Sequence, residues 1–541
     1  MAFAPAFAAL IRRGLIADHT PTLATSICAQ LSSHRAPHAP PPSVYAGFDP
    51  TAPSLHLGHA AVLVLLLRLQ AAGLRPIGLI GGATALIGDP TGKSADRPLL
   101  QQEAVAANAA RIRAFLGQVL GSEGAAPIGA PPPPPPPPTL ISTPAATTRA
   151  PPRLDCLVVD NAGFYSGMGA VGFLRDVGRH FRLAQLLARD SVKGRMGWGA
   201  GGAAGAGSGA GGGAEGEAEG MSFTEFAYPL LQAHDYATLH RAHGAALQVG
   251  GSDQWGNITA GVEHIRRLRG AGEGGGGSGA AAAAHGATVP LLLDAAGRKF
   301  GKSEGNAAVW LDAALTSHLA LWQHLAAVGD AEAPRLLAQL TLLPEGEVAE
   351  LVAEGAKAPE RKAMQAKLAD EVVALLRGRA AAEGARRTSS LLFAGSAMWA
   401  GAATTGATPA EAGGGGEGAF YLPQHAALPS LRAADLRDLG AAGQLPQGSL
   451  AGGEVAAGRV DAPAALLAAG LCKSRAEARR LVEGGGVYWN WERVSAREGG
   501  WAAGAGAAQR LRPVAASDFV GGEVAVLSVG KKRMGLVVLQ Q

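Results

Sequence analysis

Two histidines three residues apart, His56 and His59, are the first side chains whose type and spacing suggest chemistry. They follow a predicted strand, Val44 to Phe48, and lie at the start of a predicted helix, Leu55 to Ala72, with Ser54 as its cap. Residues three apart share one helix face, and N–H groups at a helix start attract anions. The pair could therefore hydrogen-bond phosphates. Two solvated surface histidines and a metal site are the alternatives, although no other His or Cys lies at ligand spacing.

A second basic motif, Arg298 to Ser303, places two lysines on either side of a glycine where the chain can bend. Lys299 and Lys302 could stabilise charge that develops on a transferred phosphate, and an exposed basic turn is the alternative. Residues 88–94 and 297–303 both end in Gly-Lys-Ser, but each has three residues between its glycines where a P-loop has four. The P-loop interpretation therefore fails twice.

The composition is that of a mainly globular chain with biased inserts. Of 541 residues, 48% are hydrophobic and 17% are charged, which argues against a collagen-like or highly charged disordered chain. Three widely spaced cysteines argue against a disulfide scaffold and a structural zinc site. The longest apolar runs are too short to span a membrane, so we expect a soluble protein. The net charge is +4, yet 11 Lys/Arg against 6 Asp/Glu after residue 470 make the C-terminal part the basic one.

The elements that must position these residues alternate at first between strand and helix. A second strand is predicted at Pro76 to Ile80, and the β-helix-β order predicts a parallel sheet with a right-handed crossover. From Leu311 to about Phe393 the pattern is helical. The predicted C-terminal elements are helices at Pro463 to Gly470 and Ser474 to Glu483, and strands at Val487 to Val494 and Gly522 to Val529. We predict an α/β fold: a Rossmann-like parallel-sheet catalytic domain, an α-helical domain and a small α+β domain.

The predicted domain boundaries follow low-complexity stretches that cannot form a core. Three are inserts, near residues 121–152, 197–220 and 270–286, and a fourth is a linker at 396–460. The predicted domains are an N-terminal segment 1–42, the catalytic domain 43–310, the helical domain 311–395 and the basic C-terminal domain 461–541.

The segment Tyr45 to His59, YAGFDPTAPSLHLGH, resembles the first motif of class I aminoacyl-tRNA synthetases in its tyrosyl form. Further blocks occur in that family's order, namely Gly81 to Pro90, Phe223 to Phe226, Val249 to Asn257 and Lys299 to Ser303. The resemblance runs from about Ala8 to Ala394 apart from the inserts, and resumes near Pro463 with a segment similar to an S4 RNA-binding domain. The sequence is identified as a member of the bacterial-type, organellar-like tyrosyl-tRNA synthetases.

The resemblance implies an ATP-dependent ligase that needs no covalent nucleophile. Tyrosine would be activated with ATP to tyrosyl-adenylate and pyrophosphate, and the tyrosyl group would pass to the 3′ end of tRNA(Tyr). ATP would be a substrate accompanied by Mg²⁺, with no structural metal bound by the protein. The partners would be tRNA(Tyr), L-tyrosine and ATP, in a homodimer without membrane association.

Site residues follow from the same resemblance. The catalytic group would be Thr51, His56, His59, Lys299, Lys302 and Ser303. The tyrosine pocket would be Tyr45, Asp89, Asn161, Tyr228, Gln232 and Asp235. The ATP and adenylate group would be Gly47, Asp49, His56, His59, Gln248, Gly250, Asp253, Gln254 and Lys302. The RNA-binding group would be Lys473, Arg475, Arg479, Arg480, Lys531, Lys532 and Arg533.

Some features depart from the family pattern or leave alternatives. Ala162-Gly163-Phe164 follows Asn161 where the family more often has a Tyr/Asp/Trp combination, and His234 replaces an aromatic neighbour of Asp235. A tryptophanyl-tRNA synthetase and a catalytically idle RNA-binding protein are the alternative functions. The expected compartment is a mitochondrion or chloroplast in a eukaryote, and otherwise the cytoplasm.

Overall fold

The computed structural model comprises two compact units, residues 1–312 with 338–345, and residues 313–337 with 346–541. It describes residues 3–33, 41–89, 100–121, 154–189, 192–193, 221–270, 283–293, 297, 300–301, 308–393, 447–490, 492–494, 514–515, 518–519, 523–529 and 533–540. Most residues of the low-complexity stretches, including the eight consecutive prolines at 131–138, lie outside this description.

A five-stranded parallel sheet forms the centre of the first unit. Its strands are β1 (Ser43–Phe48), β2 (Arg75–Ile80), β3 (Leu157–Asp160), β4 (Ala245–Gly251) and β5 (His285–Val289). Their order across the sheet is β3-β2-β1-β4-β5, so the chain moves outward from β1 in one direction and then in the other. The predictions of a parallel sheet and of strands at 44–48 and 76–80 are confirmed. In sheets of this kind ligands bind beside the carboxyl ends of the strands where the order reverses, here between β1 and β4.

Helices cover the sheet of the first unit. They are Phe3–Arg12, Leu23–Ser33, Ala60–Ala71, Thr84–Ile87, Gln102–Leu120, Ala162–Tyr165, Ala170–Asp176, Leu183–Leu187, Phe223–His243 and Trp255–Gly270. The core between helices and sheet includes Tyr45, Ile77, Leu79, Tyr236, Leu239 and Ile265. We name Phe223–His243 the pocket helix. Ser222 caps it by accepting the Glu225 N–H at 3.2 Å, and it runs on through Pro229.

The helix after β1 begins later than predicted. A single 3₁₀ turn, Leu57–His59, comes first, and the α-helix then runs from Ala60 to Ala71. His56, and not Ser54, caps the turn, because the Ser54 hydroxyl donates to the Leu55 carbonyl and accepts the Asp312 N–H. Gly73 ends the helix with a φ of 103°, as predicted for a glycine at that position.

Two predicted boundaries of the first unit are wrong. The segment 17–20 pairs with β5, since the Ala17 N–H donates to the Thr288 carbonyl at 2.7 Å and the Thr20 N–H donates to the Gly286 carbonyl at 2.9 Å. The N-terminal segment therefore packs on the catalytic sheet and protects its edge. The insert predicted at 270–286 includes the start of β5, because its glycine and alanine content hid a short buried strand.

The second unit contains the predicted helical region. Its helices are His318–Ala326, Ala333–Leu340, Glu345–Lys357, Ala363–Arg377 and Arg379–Phe393, of which residues 338–345 belong to the first unit. Trp322 is fully buried, and its indole N–H donates to Asp370 at 2.8 Å. The prediction of helices without strands from 311 to 393 is confirmed for this part of the chain.

The C-terminal elements form a second sheet with its own core. The strands are β6 (Gln447–Ala451), β7 (Val487–Trp489), β8 (Glu492–Arg493), β9 (Val524–Val529) and β10 (Arg533–Gln540), in the order β6-β10-β9-β7-β8. The helices are Gly452–Ala456, Ala462–Ala468 and Arg475–Glu483. The single strand predicted at 487–494 is a hairpin of β7 and β8. The predicted linker 396–460 is wrong at its end, because β6 pairs with β10.

No helix in the described ranges is long and apolar enough to cross a membrane. All three cysteines, Cys28, Cys156 and Cys472, are free thiols.

Tyr236 attaches the pocket helix to β5. Its hydroxyl donates to the His285 carbonyl at 2.6 Å and accepts the His285 N–H at 3.1 Å, and its side chain is fully buried. Gly261 lies against this ring, and a Cβ at position 261 would be 2.9 Å from Tyr236 Cδ1. One buried hydroxyl thus satisfies two backbone groups at the start of a strand.

We expect Tyr236→Phe to reduce the free energy of unfolding of the first unit by about 1–3 kcal/mol, because two buried backbone groups lose their partner. Chemical denaturation monitored by fluorescence measures the change. Tyr488→Phe is the control, since it removes a phenol hydroxyl from the partly exposed strand β7 of the other unit. Equal stability of wild type and Tyr236→Phe would contradict the role of this hydroxyl.

Candidate active site

Polar side chains from three neighbouring strands meet at the predicted ligand-binding edge of the sheet. Asp49 follows β1, Thr84 follows β2 and Asn161 follows β3. Asn161 and Thr84 are buried. Gly81 allows this close approach, because a Cβ there would lie 1.9 Å from Asp49 Oδ1 and 2.4 Å from Thr84 Oγ1. The ends of the strands therefore bring together groups that are far apart in the sequence.

The direction of hydrogen bonding through this network is fixed by a backbone amide. The Ala83 N–H donates to Asn161 Oδ1 at 2.8 Å, so the other end of that side chain must be its NH₂ group. Asn161 Nδ2 donates to Thr84 Oγ1 at 3.1 Å and to Asp235 Oδ2 at 2.9 Å. Thr84 in turn donates to Asp49 Oδ1 at 2.7 Å. Both carboxylates are consequently acceptors.

Asp235 is a buried carboxylate on the pocket helix, with 2% of its surface exposed. Its Oδ1 accepts the Tyr165 hydroxyl at 2.7 Å, and its Oδ2 accepts the Asn161 amide. Burial raises the pKa of Asp235 to about 7, although the two donors lower it, and Asp49 raises it further. Asp235 thus titrates close to neutral pH.

Tyr45 lies on β1 within electrostatic reach of Asp235. Its side chain is 1% exposed, and its hydroxyl has no hydrogen-bond partner among the described residues. Its ring packs on Tyr236, with ring centroids 5.1 Å apart. Burial, followed by nearby phenols and Asp235, raises the pKa of Tyr45, so its hydroxyl keeps its proton. A buried donor beside a buried acceptor suits a ligand hydroxyl, which can accept and donate at once.

The other face of the site is formed by the pocket helix and β4. Tyr228 donates to Asp49 Oδ2 at 2.8 Å, and Gln254 Nε2 donates to Asp89 Oδ2 at 2.6 Å. Gln232 lies four residues after Tyr228 and three before Asp235, on the same helix face. Gln248 is buried on β4, Gly250 is the last residue but one of that strand, and Asp253 is exposed in the turn that follows. Gly47 lies within β1, and Thr51 follows Asp49 after that strand.

His56 and His59 face each other in the turn after β1, with ring centroids 4.0 Å apart. His56 Nδ1 accepts the Gly58 N–H at 3.1 Å, and His59 Nδ1 accepts the His56 N–H at 3.2 Å. Burial, and then His56, lowers the pKa of His59 to about 3. Since Nδ1 of His56 accepts, a neutral His56 ring carries its proton on Nε2, which can donate to an anion. Nδ1 of His59 also lies 3.2 Å from the His56 carbonyl oxygen, so it accepts the His56 N–H in one tautomer and donates to that carbonyl in the other.

The second basic motif is only partly within the described residues. Phe300 and Gly301 are described, and a Cβ on Gly301 would lie 3.1 Å from the Gly58 nitrogen. The Val309 N–H donates to the Gly301 carbonyl and the Leu57 N–H donates to the Val309 carbonyl, at 2.7 and 2.9 Å. Lys299, Lys302 and Ser303 lie outside the described residues. The described part of the loop therefore touches the turn that carries the histidines.

Sequence reasoning missed Tyr165 and Thr84. Thr84 lies in the quoted block Gly81 to Pro90, but it was given no role. Tyr165 had no signal at all, because its contact with Asp235 joins residues 70 positions apart. The departure at His234 is resolved by packing, since this imidazole lies between Tyr165 and Phe173, at 5.5 and 6.2 Å between ring centroids.

The predicted RNA-binding residues lie on and beside the helix Arg475–Glu483. Lys473, Arg475, Arg479 and Arg480 are exposed, while Ala478 and Val482 on the opposite face are buried in the core of the second sheet. Arg475 forms an ion pair with Asp461 at 2.9 Å, so it is less available than the other three. Arg533 begins β10, and its side chain, together with Lys531 and Lys532, lies outside the description.

A parallel sheet whose order reverses beside imidazole donors and a buried polar pocket defines a nucleotide-binding α/β enzyme. The model of the family "tRNA synthetases class I (W and Y)" matches residues 38–394, and the model of the S4 domain matches residues 464–497. The chain belongs to the class I tRNA synthetases of this W and Y family.

Similar proteins extend over almost the whole chain. A tyrosine–tRNA ligase of Aeromonas hydrophila is 34% identical over 531 residues, which cover 98% of each chain. One of Mycobacterium tuberculosis is 36% identical over 520 residues, 96% of this chain and 95% of its own. The solved structure of a C-terminally truncated mitochondrial tyrosyl-tRNA synthetase from Aspergillus nidulans has a TM-score of 0.55 and 28% identity, covering 72% of this chain and 97% of its own.

We expect His59 to remain neutral from pH 5 to pH 8, because burial lowers its pKa to about 3. Nitrogen-15 NMR of protein with labelled histidines distinguishes the two tautomers from the charged ring, and the spectrum of His59→Gln identifies the resonance. A His59 ring that becomes charged between pH 6 and pH 7 would contradict this assignment.

Proposed function

We infer that the chain is a tyrosine–tRNA ligase, an aminoacyl-tRNA synthetase that uses ATP. The observation that carries the choice of amino acid is that the unpartnered Tyr45 hydroxyl and the Asp235 carboxylate are both buried and within electrostatic reach of each other. Relatives that are 34–36% identical over nearly the full length are named tyrosine–tRNA ligases. The family model covers enzymes for tryptophan (W) and for tyrosine (Y), so the choice between these two amino acids has to come from the pocket. An indole N–H can only donate, whereas a phenol hydroxyl can use both groups.

The proposed reaction of this chain has two steps. The tyrosine carboxylate attacks the α-phosphorus of ATP, the bond to pyrophosphate breaks, and tyrosyl-adenylate forms. A hydroxyl of the 3′-terminal ribose of tRNA(Tyr) then attacks the activated carbonyl, and AMP leaves. Neither step requires a covalent bond to the enzyme, so the side chains position reactants and stabilise charge.

We propose that the histidine turn binds the phosphates. A neutral imidazole can donate a ring N–H to an anion without repelling the metal that accompanies it, and the turn lies at the start of the helix Ala60–Ala71. Thr51, Lys299, Lys302 and Ser303 complete the proposed catalytic group. The contact of Gly301 with Gly58 supports the view that this loop acts at the same site.

The remaining site assignments are also proposals. Asp89, Tyr228 and Gln232 would hold the substrate ammonium group, and Asn161 would support Asp235. Gly47, Asp49, Gln248, Gly250, Asp253 and Gln254 would meet the adenylate. The coupling of Asp89 to Gln254 and of Asp49 to Tyr228 supports a single continuous site for both substrates. Mg²⁺ would enter with the ATP phosphates, and no structural metal is proposed.

We propose that the chain is a homodimer. Four large apolar side chains on neighbouring helices of the first unit are strongly exposed, namely Val171 at 80%, Leu174 at 55%, Leu183 at 62% and Phe223 at 72%. Their helices pack together through Val177, Leu186 and Leu230. A clustered apolar surface of this kind is typical of a subunit interface.

The domain division and the compartment remain proposals as well. The catalytic domain would begin at the N-terminal helices, and the RNA-binding domain would begin at β6. Bacterial and mitochondrial relatives both fit the expected compartment, an organelle of a eukaryote or otherwise the cytoplasm.

We expect Tyr45→Phe and Asp235→Asn each to reduce the preference for tyrosine over phenylalanine by about tenfold or more, because hydrogen bonds to buried and charged groups contribute about 1.5–3 kcal/mol. ATP–pyrophosphate exchange with tyrosine, phenylalanine and tryptophan measures the specificity constants. Tyr488→Phe serves as the control. An unchanged ratio in both variants would exclude this pair as the groups that select the hydroxyl.

A chain that ends at residue 446 should form tyrosyl-adenylate almost normally but charge tRNA at least about tenfold more slowly, because the basic surface is lost. The removed part has a hydrophobic core of its own, which extends from Val455 to Val537. For the intact protein, tRNA affinity should fall steeply with salt, and this dependence should be weaker after truncation.

The alternative for the C-terminal part is a purely structural role. In that case truncation would lower the melting temperature and damage both half-reactions together. Pyrophosphate exchange, aminoacylation and melting temperature are therefore measured on the same sample, and normal aminoacylation would contradict the proposed RNA binding.

A further inference from the structure

Tyr165 lies at the end of the short helix Ala162–Tyr165 and reaches the pocket helix with its hydroxyl. The hydroxyl is 2.7 Å from Asp235 Oδ1 and 3.0 Å from the Leu231 carbonyl. Its ring packs beside His234 and Phe173, at 5.5 and 6.4 Å between centroids. The ring therefore has a fixed place, and the hydroxyl is its only polar contact with the site.

A phenol has one proton, so Tyr165 can donate to only one of these two acceptors at a time. While Asp235 is ionised, its carboxylate is a stronger acceptor than the Leu231 carbonyl, so the Tyr165 hydroxyl donates to Asp235. When Asp235 is protonated, its proton cannot point from Oδ2 toward Asn161, because Asn161 Nδ2 offers only N–H groups. The proton can then lie on Oδ1 and be donated to Tyr165, whose own proton turns to the Leu231 carbonyl.

We propose that Tyr165 is a positioning residue for amino-acid selection, whose hydroxyl holds the Asp235 carboxylate ready to accept the phenol of the substrate. This inference rests on the proposed function. Each oxygen of Asp235 receives one donor from the protein, which leaves a further lone pair for the substrate hydroxyl. Without Tyr165, only Asn161 would counter the cost of burying the charge.

The neighbours of Asp235 agree with this role. Asp49 opposes its ionisation, whereas Tyr165 and Asn161 favour it. The pKa values of the phenols Tyr45, Tyr165 and Tyr228 are raised, chiefly by burial, and that of His234 is lowered, chiefly by burial. The phenols therefore stay protonated and His234 stays neutral near pH 7, which leaves Asp235 as the group that titrates there.

The test is Tyr165→Phe, which keeps the ring and removes the hydroxyl. We expect the ratio of specificity constants for tyrosine over phenylalanine to fall about tenfold, mainly through a higher KM for tyrosine. The specificity constant for tyrosine should also begin to fall at a higher pH than in wild type as the solution is acidified. Carbon-13 NMR of labelled aspartates should show the titration of Asp235 moving to higher pH in the same variant.

Two comparisons make the result specific. Tyr236→Phe removes another buried hydroxyl and should lower the melting temperature without moving the Asp235 titration, since that hydroxyl bonds to the backbone of His285 and Gln248 and not to Asp235. In an Asp235→Asn background, Tyr165→Phe should cause no further loss of discrimination, because the carboxylate it serves is absent.

An unmoved Asp235 titration with an unchanged tyrosine preference would overturn the inference and leave Tyr165 as a packing residue. Additive losses in the double variant would overturn it as well. If the wild-type protein failed to activate tyrosine, the proposed function would be wrong, whereas a working wild type with an unmoved titration would contradict only the role of Tyr165. A Tyr165→Phe protein that is less stable is still informative, since the NMR titration reports on the folded fraction.

Discussion

The hydrogen bond from the Ala83 N–H to Asn161 Oδ1 determines the polarity of the whole pocket. A backbone amide can only donate, so it orients the Asn161 side chain and makes its NH₂ group face Thr84 and Asp235. Thr84 then has to donate to Asp49. Two carboxylates on different elements thus become acceptors because of one amide after β2. Any substrate group that enters must bring its own donors to them.

The sheet explains why this amide is where it is. Ala83 and Asn161 follow β2 and β3, which are neighbours in a parallel sheet, so their loops leave at the same edge. Glycines at 81 and 82 keep side chains away from Asp49 and Asp160 at that edge. The pocket helix then supplies Tyr228 and Asp235 from above the edge. Strand order, glycine positions and hydrogen-bond direction therefore act together.

Much of this could be predicted from the sequence, for physical reasons that also explain the failures. Strands β1 and β2 and the helical region have regular apolar patterns, and ordered blocks identified the family. The start of β5 was missed because glycine and alanine next to a low-complexity run carry no strand signal. Ser54 was chosen as a cap from its residue type, but the turn uses an imidazole nitrogen. Tyr165 could not be found, since no local pattern reports a partner that the fold brings from a distant helix.

Burial has opposite consequences for the two kinds of titratable group in the site. In both cases it favours the neutral form, which lowers the pKa of His59 to about 3 and raises that of Asp235 to about 7. For His59 the neutral form is the useful one, because it can donate a ring N–H without adding a charge, and burial maintains this form although the backbone hydrogen bond to His56 raises the pKa. For Asp235 the charged form is the useful one, so two side-chain donors are required to oppose burial. The side-chain donors of the pocket are accordingly concentrated on the carboxylates, which have to stay charged.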